Sequence, residues 1–176
     1  MRLLSLICIM ILLITADCCA ARSIEGVVRA VYDGDTILLN TPEESRLKVR
    51  LYGIDAPETA KPDKPGQPFG EDAKRALTGK VMGRRVSAEI IDIDPYQRVV
   101  AVVRCAGRDI NREMVVEGMA WAYRHYLRGP YASEYIGAET RARARRAGLW
   151  RDSNPLPPWE FRQALKGGNR HGKRHR

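Results

Sequence analysis

The chain has 176 residues, of which 44% are hydrophobic and 29% are charged. This length suits a single domain with a real hydrophobic core, and only the first residues are apolar enough to raise the question of a membrane segment. The formal net charge of +9 favours a polyanionic partner, most often nucleic acid, although charge alone leaves a generic basic protein equally open.

The first 21 residues predict a secretory signal peptide. A positive start at Arg2 is followed by an apolar run over residues 3–15 and by small residues up to Ala21. The apolar run is shorter than the ~20 residues that a membrane-spanning helix needs. A lipid anchor at Cys18 is a weak alternative, because Asp17 precedes it. We therefore expect a secreted or periplasmic protein.

Cysteine usage agrees with this expectation. Three of the four cysteines fall within the signal region, so only Cys105 remains after cleavage. A single cysteine forms no intramolecular disulfide, and stability must come from the core. Cys105 ends an apolar run over residues 99–103 and is expected to be a buried structural thiol.

Five short strands are predicted between Ile24 and Cys105. Alternating or continuous apolar runs bounded by turn residues place them at 27–31, 36–39, 47–52, 86–91 and 98–104. Short strands joined by tight turns indicate a small closed barrel.

Helices are predicted at 71–82, 110–117 and 133–147, the second with Asp109 as its N-cap and Gly118 as its stop. The arginines of the third helix indicate a solvated face. A segment at 154–161 is predicted to be extended, with its aromatic side chains against the domain. The sequence thus divides into residues 1–21, a domain at 24–152, a Pro- and Trp-containing extension at 153–165 and a basic, disordered tail at 166–176.

A set of charged residues falls at the predicted strand ends. Asp33 and Asp35 flank Gly34, and the other members are Arg50, Asp55, Glu58 and Arg98. An Asp-Gly pair alone is typical of a hairpin turn, and the Asp55–Glu58 stretch alone could cap a helix. Together, the carboxylates could hold a hard divalent cation and activate water, while the arginines could grip a phosphate.

In order, residue type and spacing, these residues resemble the staphylococcal nuclease family over residues 26–150. The resemblance implies an α+β, mainly β fold: a five-stranded OB-type barrel with three helices. It makes residues 24–152 the expected nuclease domain.

The resemblance also implies a Ca²⁺ site. Asp35 and Asp55 would bind the ion through their carboxylates, Ala56 through its backbone carbonyl, and Asp33 would contact metal-bound water. The family usually has threonine at the position of Ala56, so a hydroxyl contact is lost here. All-oxygen ligands suit calcium, and the three histidines lack the spacing of a zinc site.

The catalytic residues implied by the resemblance are Glu58, Arg50 and Arg98. Glu58 would act as general base or orient the water, and the arginines would hold phosphate oxygens through their planar guanidinium groups. Either arginine could instead form a surface ion pair. Around Arg98 the chain departs from the family, with Pro95 in place of a lysine and Gln97 in place of a glycine.

Three tyrosines are candidates for stacking on a base or sugar: Tyr96, Tyr123 and Tyr126. Tyr96 matches a loop tyrosine of the family, whereas the alignment of the other two is uncertain by a residue or more. A core or surface role is an equal alternative for each.

The function implied by the resemblance is that of an exported Ca²⁺-dependent nuclease. It would act as a monomer on DNA and RNA, preferably single-stranded, with little sequence specificity, and leave 3′-phosphate ends. The alternatives are a non-catalytic nucleic-acid-binding OB-fold module of the envelope and a basic envelope protein that binds anionic polymers or lipid head groups.

Overall fold

The computed structural model describes the backbone of residues 22–172 and the side chains of residues 22–167. The predicted signal peptide lies outside the described residues, as does the end of the tail. Within the described part, no helix is long and apolar enough to cross a membrane.

The five longer strands are β1 Ser23–Asp33, β2 Thr36–Asn40, β3 Arg46–Leu51, β5 Arg85–Ile93 and β6 Val99–Cys105. They form a closed barrel in the order β3-β2-β1-β5-β6, and a parallel pairing of β3 with β6 closes it. Three two-residue strands complete the described set: β4 Ile54–Asp55, β7 Arg108–Asp109 and β8 Trp121–Ala122. The predicted α+β class and five-stranded barrel are confirmed.

The described helices are α1 Gly70–Val81, α2 Ile110–Val116, α3 Gly129–Ala144 and α4 Pro158–Gly172, with a short 3-10 helix at Gly148–Arg151. In α1, Ala73, Leu77 and Val81 are fully buried at a spacing of four residues, so one face of this helix packs on the barrel. The main core fills the barrel and the space beneath the first three helices.

Helix α3 begins and ends earlier than the predicted 133–147. Pro130 lies in its first turn, where a missing backbone N–H costs nothing, and this favours the earlier start. The arginines of the predicted solvated face, Arg141, Arg143, Arg145 and Arg146, are all exposed. Arg143 pairs with the buried Glu139 (2.6 Å) and lies 4.0 Å from the Trp150 ring centroid.

The C-terminal extension differs most from its prediction. The expected extended segment at 154–161 gives way at Pro158 to helix α4, which continues to Gly172 and so covers the first part of the tail predicted to be disordered. A second hydrophobic cluster anchors this helix: Trp159 packs beside Trp121, with Leu149 and Trp150 in the same cluster. Tertiary contact with these indole rings stabilises a helix that its basic, glycine-containing sequence does not favour.

Candidate active site

The turn between β1 and β2 places Asp35 at the edge of the barrel. The Asp35 carbonyl accepts a hydrogen bond from the Leu51 backbone N–H (2.8 Å), which fixes this turn against the end of β3. A side chain at Gly34 would collide with the methyl groups of Ala56 and Ala73, so glycine lets the turn approach both. The side chain of Asp35 is consequently buried.

Strand β4 places Asp55 beside Asp35. Asp55 pairs with Trp121 of β8 and is fully buried. The Ala56 backbone N–H donates to Asp35 Oδ2 (3.1 Å), which ties the two acidic segments together. Two carboxylates that are far apart in the chain thus share one buried site.

Arg50, on β3, lies between these carboxylates. Its two terminal nitrogens donate to Asp35 Oδ1 (3.0 Å) and Asp55 Oδ1 (2.7 Å). Burial alone would lower the pKa of Arg50, but the charges of Asp35 and Asp55 outweigh burial and raise that pKa above its usual range. The guanidinium therefore stays charged and holds the carboxylates close to each other.

The ionised form of Asp55 is disfavoured by its surroundings. Burial raises the pKa of Asp55 above its ordinary value, against the hydrogen bond from Arg162, and the negative charge of Asp35 adds to the rise. A buried carboxylate pair of this kind is stabilised by a cation, because the cation offsets both desolvation and mutual repulsion.

Glu58 lies on the loop between β4 and α1, and Gln67 holds the backbone of that loop. The Glu58 N–H donates to Gln67 Oε1 (3.0 Å), and the Gln67 N–H donates to the Glu58 carbonyl (2.8 Å). The Glu58 side chain is 24% exposed, so its carboxylate reaches the surface of the site. This position allows contact with water or substrate.

Asp33 is held at the margin of the site. It accepts a hydrogen bond from the Thr59 hydroxyl (2.5 Å) and faces Lys61 Nζ at 3.8 Å. Thr59 follows Glu58 directly, so this contact joins the β1–β2 turn to the Glu58 loop. The predicted role of Asp33 behind the metal ligands stays a prediction.

Arg98 keeps its contacts within its own turn. Its Nε and one terminal nitrogen both lie 2.6 Å from Asp94 Oδ2, and its guanidinium lies 5.5 Å from the ring centroid of Tyr96. Among the described residues, no hydrogen bond or ion pair joins Arg98 to Asp35, Asp55 or Glu58. Its predicted phosphate contact stays a prediction.

The turn before Arg98 has a backbone conformation that suits the glycine expected from the resemblance better than Gln97. Gln97 has φ 59°, a left-handed conformation that favours glycine. The usual glycine is therefore the residue best suited to this turn, and Gln97 adopts the same conformation at a steric cost.

The donor set fits a hard divalent cation. Asp35 and Asp55 offer carboxylate oxygens on either side of one guanidinium, and among the described side chains no histidine or cysteine contacts them. Within residues 22–167, no group of three or more acidic, His or Cys side chains has metal-binding geometry. Two carboxylates would therefore need backbone carbonyl and water ligands to complete the shell, which calcium and magnesium accept.

Two of the three candidate tyrosines lie together beside this site. Tyr123 donates its backbone N–H to the Gly53 carbonyl (2.8 Å), and its ring meets Tyr126 edge-on with centroids 4.9 Å apart. Burial raises the pKa of Tyr123, and the charge of Asp55 contributes. Tyr96 is 79% exposed and stands apart with Arg98.

Helix α4 brings two residues to the site that the sequence analysis missed. Arg162 donates to Asp55 Oδ2 (2.8 Å), Asp55 Oδ1 (3.1 Å) and Glu58 Oε1 (2.7 Å). Trp159 stacks on Tyr123, with ring centroids 5.2 Å apart and planes 7° from parallel. The available signal was Pro158 followed by Glu160, a pattern typical of a helix start.

Comparison with known proteins agrees with this arrangement. The family model described as staphylococcal nuclease homologue matches residues 48–152. The chain belongs to the staphylococcal nuclease family. It is therefore a hydrolase that acts on the phosphodiester bonds of nucleic acid.

Three relatives each share more than a third of their aligned residues with the chain. An uncharacterized endonuclease of Haemophilus influenzae is 37% identical over 158 residues, which are 90% of this chain and 83% of the relative. A micrococcal nuclease of Shigella flexneri is 37% identical over 80% of this chain and 82% of its own length. A probable staphylococcal-like nuclease of Oryza sativa is 36% identical over 70% of this chain, which spans only 34% of that relative.

Proposed function

We propose that this nuclease is exported, depends on Ca²⁺, and cleaves DNA and RNA with little sequence specificity to leave 3′-phosphate ends. One observation carries the proposal: Arg50 lies between the buried carboxylates of Asp35 and Asp55. Such a cluster combines ligands for a cation with a donor for phosphate oxygens. A monomer that prefers single strands is part of the proposal.

The metal would be held by Asp35, Asp55 and the backbone carbonyl of Ala56. Bound there, a divalent cation supplies positive charge that offsets the charge developing on phosphate oxygens. The raised pKa of Asp55 supports a cation at this position, because burial and Asp35 both disfavour its ionised form otherwise. Oxygen-only donors support calcium over zinc.

The protein side chains would bind the phosphate and move the proton. Arg50 would donate to phosphate oxygens through the N–H groups that its bonds to Asp35 and Asp55 leave unused, and Arg98 would approach from the neighbouring turn. Glu58 takes a proton from the attacking water, and the water oxygen bonds to phosphorus. The bond from phosphorus to the 5′-oxygen breaks, and the leaving 5′-oxygen takes a proton from solvent. The phosphate then stays on the 3′-oxygen, so one fragment ends in a 3′-phosphate and the other in a 5′-hydroxyl.

Low sequence specificity follows from the kind of groups in the site. Arginines and carboxylates address phosphate and water, and aromatic rings stack on any base. Tyr123 and Tyr126 beside Asp55 would supply such a stacking surface.

The decisive experiment compares the purified protein with its Glu58→Gln variant on single-stranded DNA, in Ca²⁺ and in chelator. Cleavage should require Ca²⁺ and fall by about 100- to 10,000-fold in the variant, because a positioned base contributes rate of that order. Glu134→Gln is the matched control, since Glu134 is exposed on α3. End-group analysis of the products reports whether the phosphate stays on the 3′ end.

The rival is the non-catalytic binding module. Tight DNA binding without cleavage in any divalent ion would establish it and refute the nuclease proposal. Export rests on the apolar run and small residues at the start of the sequence. N-terminal sequencing of the protein from the culture medium and periplasm tests it, and an intact N-terminus in the cytoplasm would contradict it.

A further inference from the structure

Helix α4 fills the surface on which the proposed reaction would take place. Arg162 contacts both carboxylate oxygens of Asp55 and one of Glu58, at 2.7 to 3.1 Å. These are the proposed metal ligand and the proposed general base. Asp55 Oδ1 also accepts from Arg50 (2.7 Å), so the two guanidinium groups together fill the lone pairs of that oxygen. A divalent cation that binds Asp55 through both oxygens must therefore displace one guanidinium.

The same helix also covers the aromatic surface. Trp159 lies parallel to Tyr123 at 5.2 Å and meets Trp121 edge-on at 5.5 Å. Because Trp159 and Arg162 are three residues apart, they lie on the same face of α4. One helix face therefore covers both the carboxylates and the ring proposed to stack on a base.

The loop that precedes α4 is attached to the catalytic loop. Gln67 donates its side-chain N–H to the Leu156 carbonyl (3.0 Å), and its side-chain oxygen accepts from the Glu58 backbone N–H. This attachment holds the linker before α4 beside the site, independently of the contacts that Arg162 and Trp159 make. The linker can remain in place while the helix moves.

We propose that α4 is an autoinhibitory segment whose Arg162 acts as an internal counter-ion and must leave Asp55 and Glu58 before a divalent cation binds. The inference rests on the proposed function for the identity of the site. In the closed state, Arg162 offsets the charge of the carboxylates and Trp159 occupies the stacking surface. In the open state, the carboxylates become accessible to the cation and the stacking surface becomes accessible to nucleic acid. The apparent affinity for the cation is then reduced by the fraction of molecules that are open.

The test measures Ca²⁺ affinity by calorimetry in the absence of nucleic acid, for the wild-type protein and three variants. Arg162→Gln removes the competing guanidinium. Trp159→Ala weakens the docking of α4 but changes no charge near the carboxylates. Lys166→Gln removes an exposed cation of the same helix and is the matched control.

Both Arg162→Gln and Trp159→Ala should lower the dissociation constant for Ca²⁺ by about tenfold, as removal of a closed state populated at about 90% requires. Lys166→Gln should leave it unchanged. Circular dichroism and thermal unfolding confirm that each variant is folded. Hydrogen exchange should show faster exchange in α4 when Ca²⁺ is added to the wild-type protein.

Two results would overturn the inference. If only Arg162→Gln tightens Ca²⁺ binding, the effect is local charge and not displacement of the helix. If neither variant tightens binding, α4 does not compete with the cation. Cleavage is not the readout of this test. If both variants bind Ca²⁺ more tightly but neither they nor the wild-type protein cut DNA, the proposed function is refuted and this inference stands.

Discussion

Asp94 shows how a single side chain sets the direction of another. It accepts backbone hydrogen bonds from Tyr96 (2.9 Å) and Arg98 (3.0 Å), and its other oxygen pairs with the Arg98 guanidinium. Burial alone would raise the pKa of Asp94, but the hydrogen bonds from Arg98 and Tyr96 lower it below its ordinary value. The ionised carboxylate therefore orders the turn and holds Arg98 in it.

The lowered pKa of Asp94 predicts the pH dependence of its contribution to stability. Because the pKa of Asp94 is lower in the folded state than in the unfolded state, ionised Asp94 stabilises the protein at pH values above the unfolded-state pKa. This contribution is lost as the pH falls through the folded-state pKa. Asp94→Asn should lower the free energy of unfolding by about 1 kcal/mol at neutral pH, the size expected for a partly exposed ion pair. Urea unfolding from pH 7 down to pH 3 should show the difference shrinking. A stability difference between the wild-type protein and Asp94→Asn that grows as the pH falls would contradict this prediction. Asp63→Asn, at an exposed position, is the control.

Among the elements, α2 is tied to the barrel by one buried amide. Asn111 is fully buried, accepts from the Val103 N–H (3.0 Å) and donates to the carbonyls of Tyr52 and Ala101 (3.0 Å each). Its side chain thus satisfies three backbone groups at the junction of β3, β6 and α2. The segment that follows β3 carries Asp55, so this junction also supports the site.

Replacing this amide should be among the most destabilising single changes in the chain. Asn111→Ala removes the partner of the Val103 N–H and of the Tyr52 carbonyl, whereas the Ala101 carbonyl still accepts from the Tyr52 N–H (2.8 Å). Each buried unsatisfied group costs about 1–3 kcal/mol, so we expect a loss of at least about 2 kcal/mol in the free energy of unfolding, measured in urea. Asn154→Ala, on the exposed linker before α4, should change it by less than about 0.5 kcal/mol. Equal, small effects of the two changes would show that α2 does not depend on Asn111.

For the whole molecule, the net charge of +9 governs the encounter with nucleic acid. A basic protein that contacts phosphates releases counterions on binding, so its affinity falls as salt rises. The candidate active site has the opposite kind of charge, because its carboxylates are in excess and are offset by Arg50 and Arg162. The net positive charge of the protein therefore attracts nucleic acid over a distance, whereas the carboxylates of the site favour the binding of a cation.

The affinity of Glu58→Gln for single-stranded DNA in chelator should fall at least about tenfold between 50 and 200 mM salt, since each phosphate contact contributes a slope of about −0.7 on logarithmic axes. Fluorescence anisotropy measures it without cleavage. An oligonucleotide of the same sequence with an uncharged methylphosphonate backbone is the control and should bind weakly at every salt concentration. Salt-independent affinity for the ordinary DNA would show that stacking, and not charge, dominates binding.

The sequence alone determined the barrel and the set of acidic residues at its edge. Strand alternation and turns such as Asp33-Gly34 are local patterns, and they predict five strands because period-two burial is written into neighbouring residues. The positions of Asp35, Asp55 and Arg50 at predicted strand ends, together with the family resemblance, also predicted that they belong to one site. The structure places Arg50 in direct contact with both carboxylates. Their roles in metal binding and catalysis stay predictions.

Only the tertiary structure decided what covers this site. Arg162 lies 107 residues from Asp55 in the chain, and α4 is stabilised by packing on Trp121 and Tyr123, not by its own propensity. No local pattern encodes such a contact, since it depends on how a helix docks on a surface formed by distant strands. The same holds for the burial of Asp55 and its raised pKa, which arise from the pairing of β4 with β8.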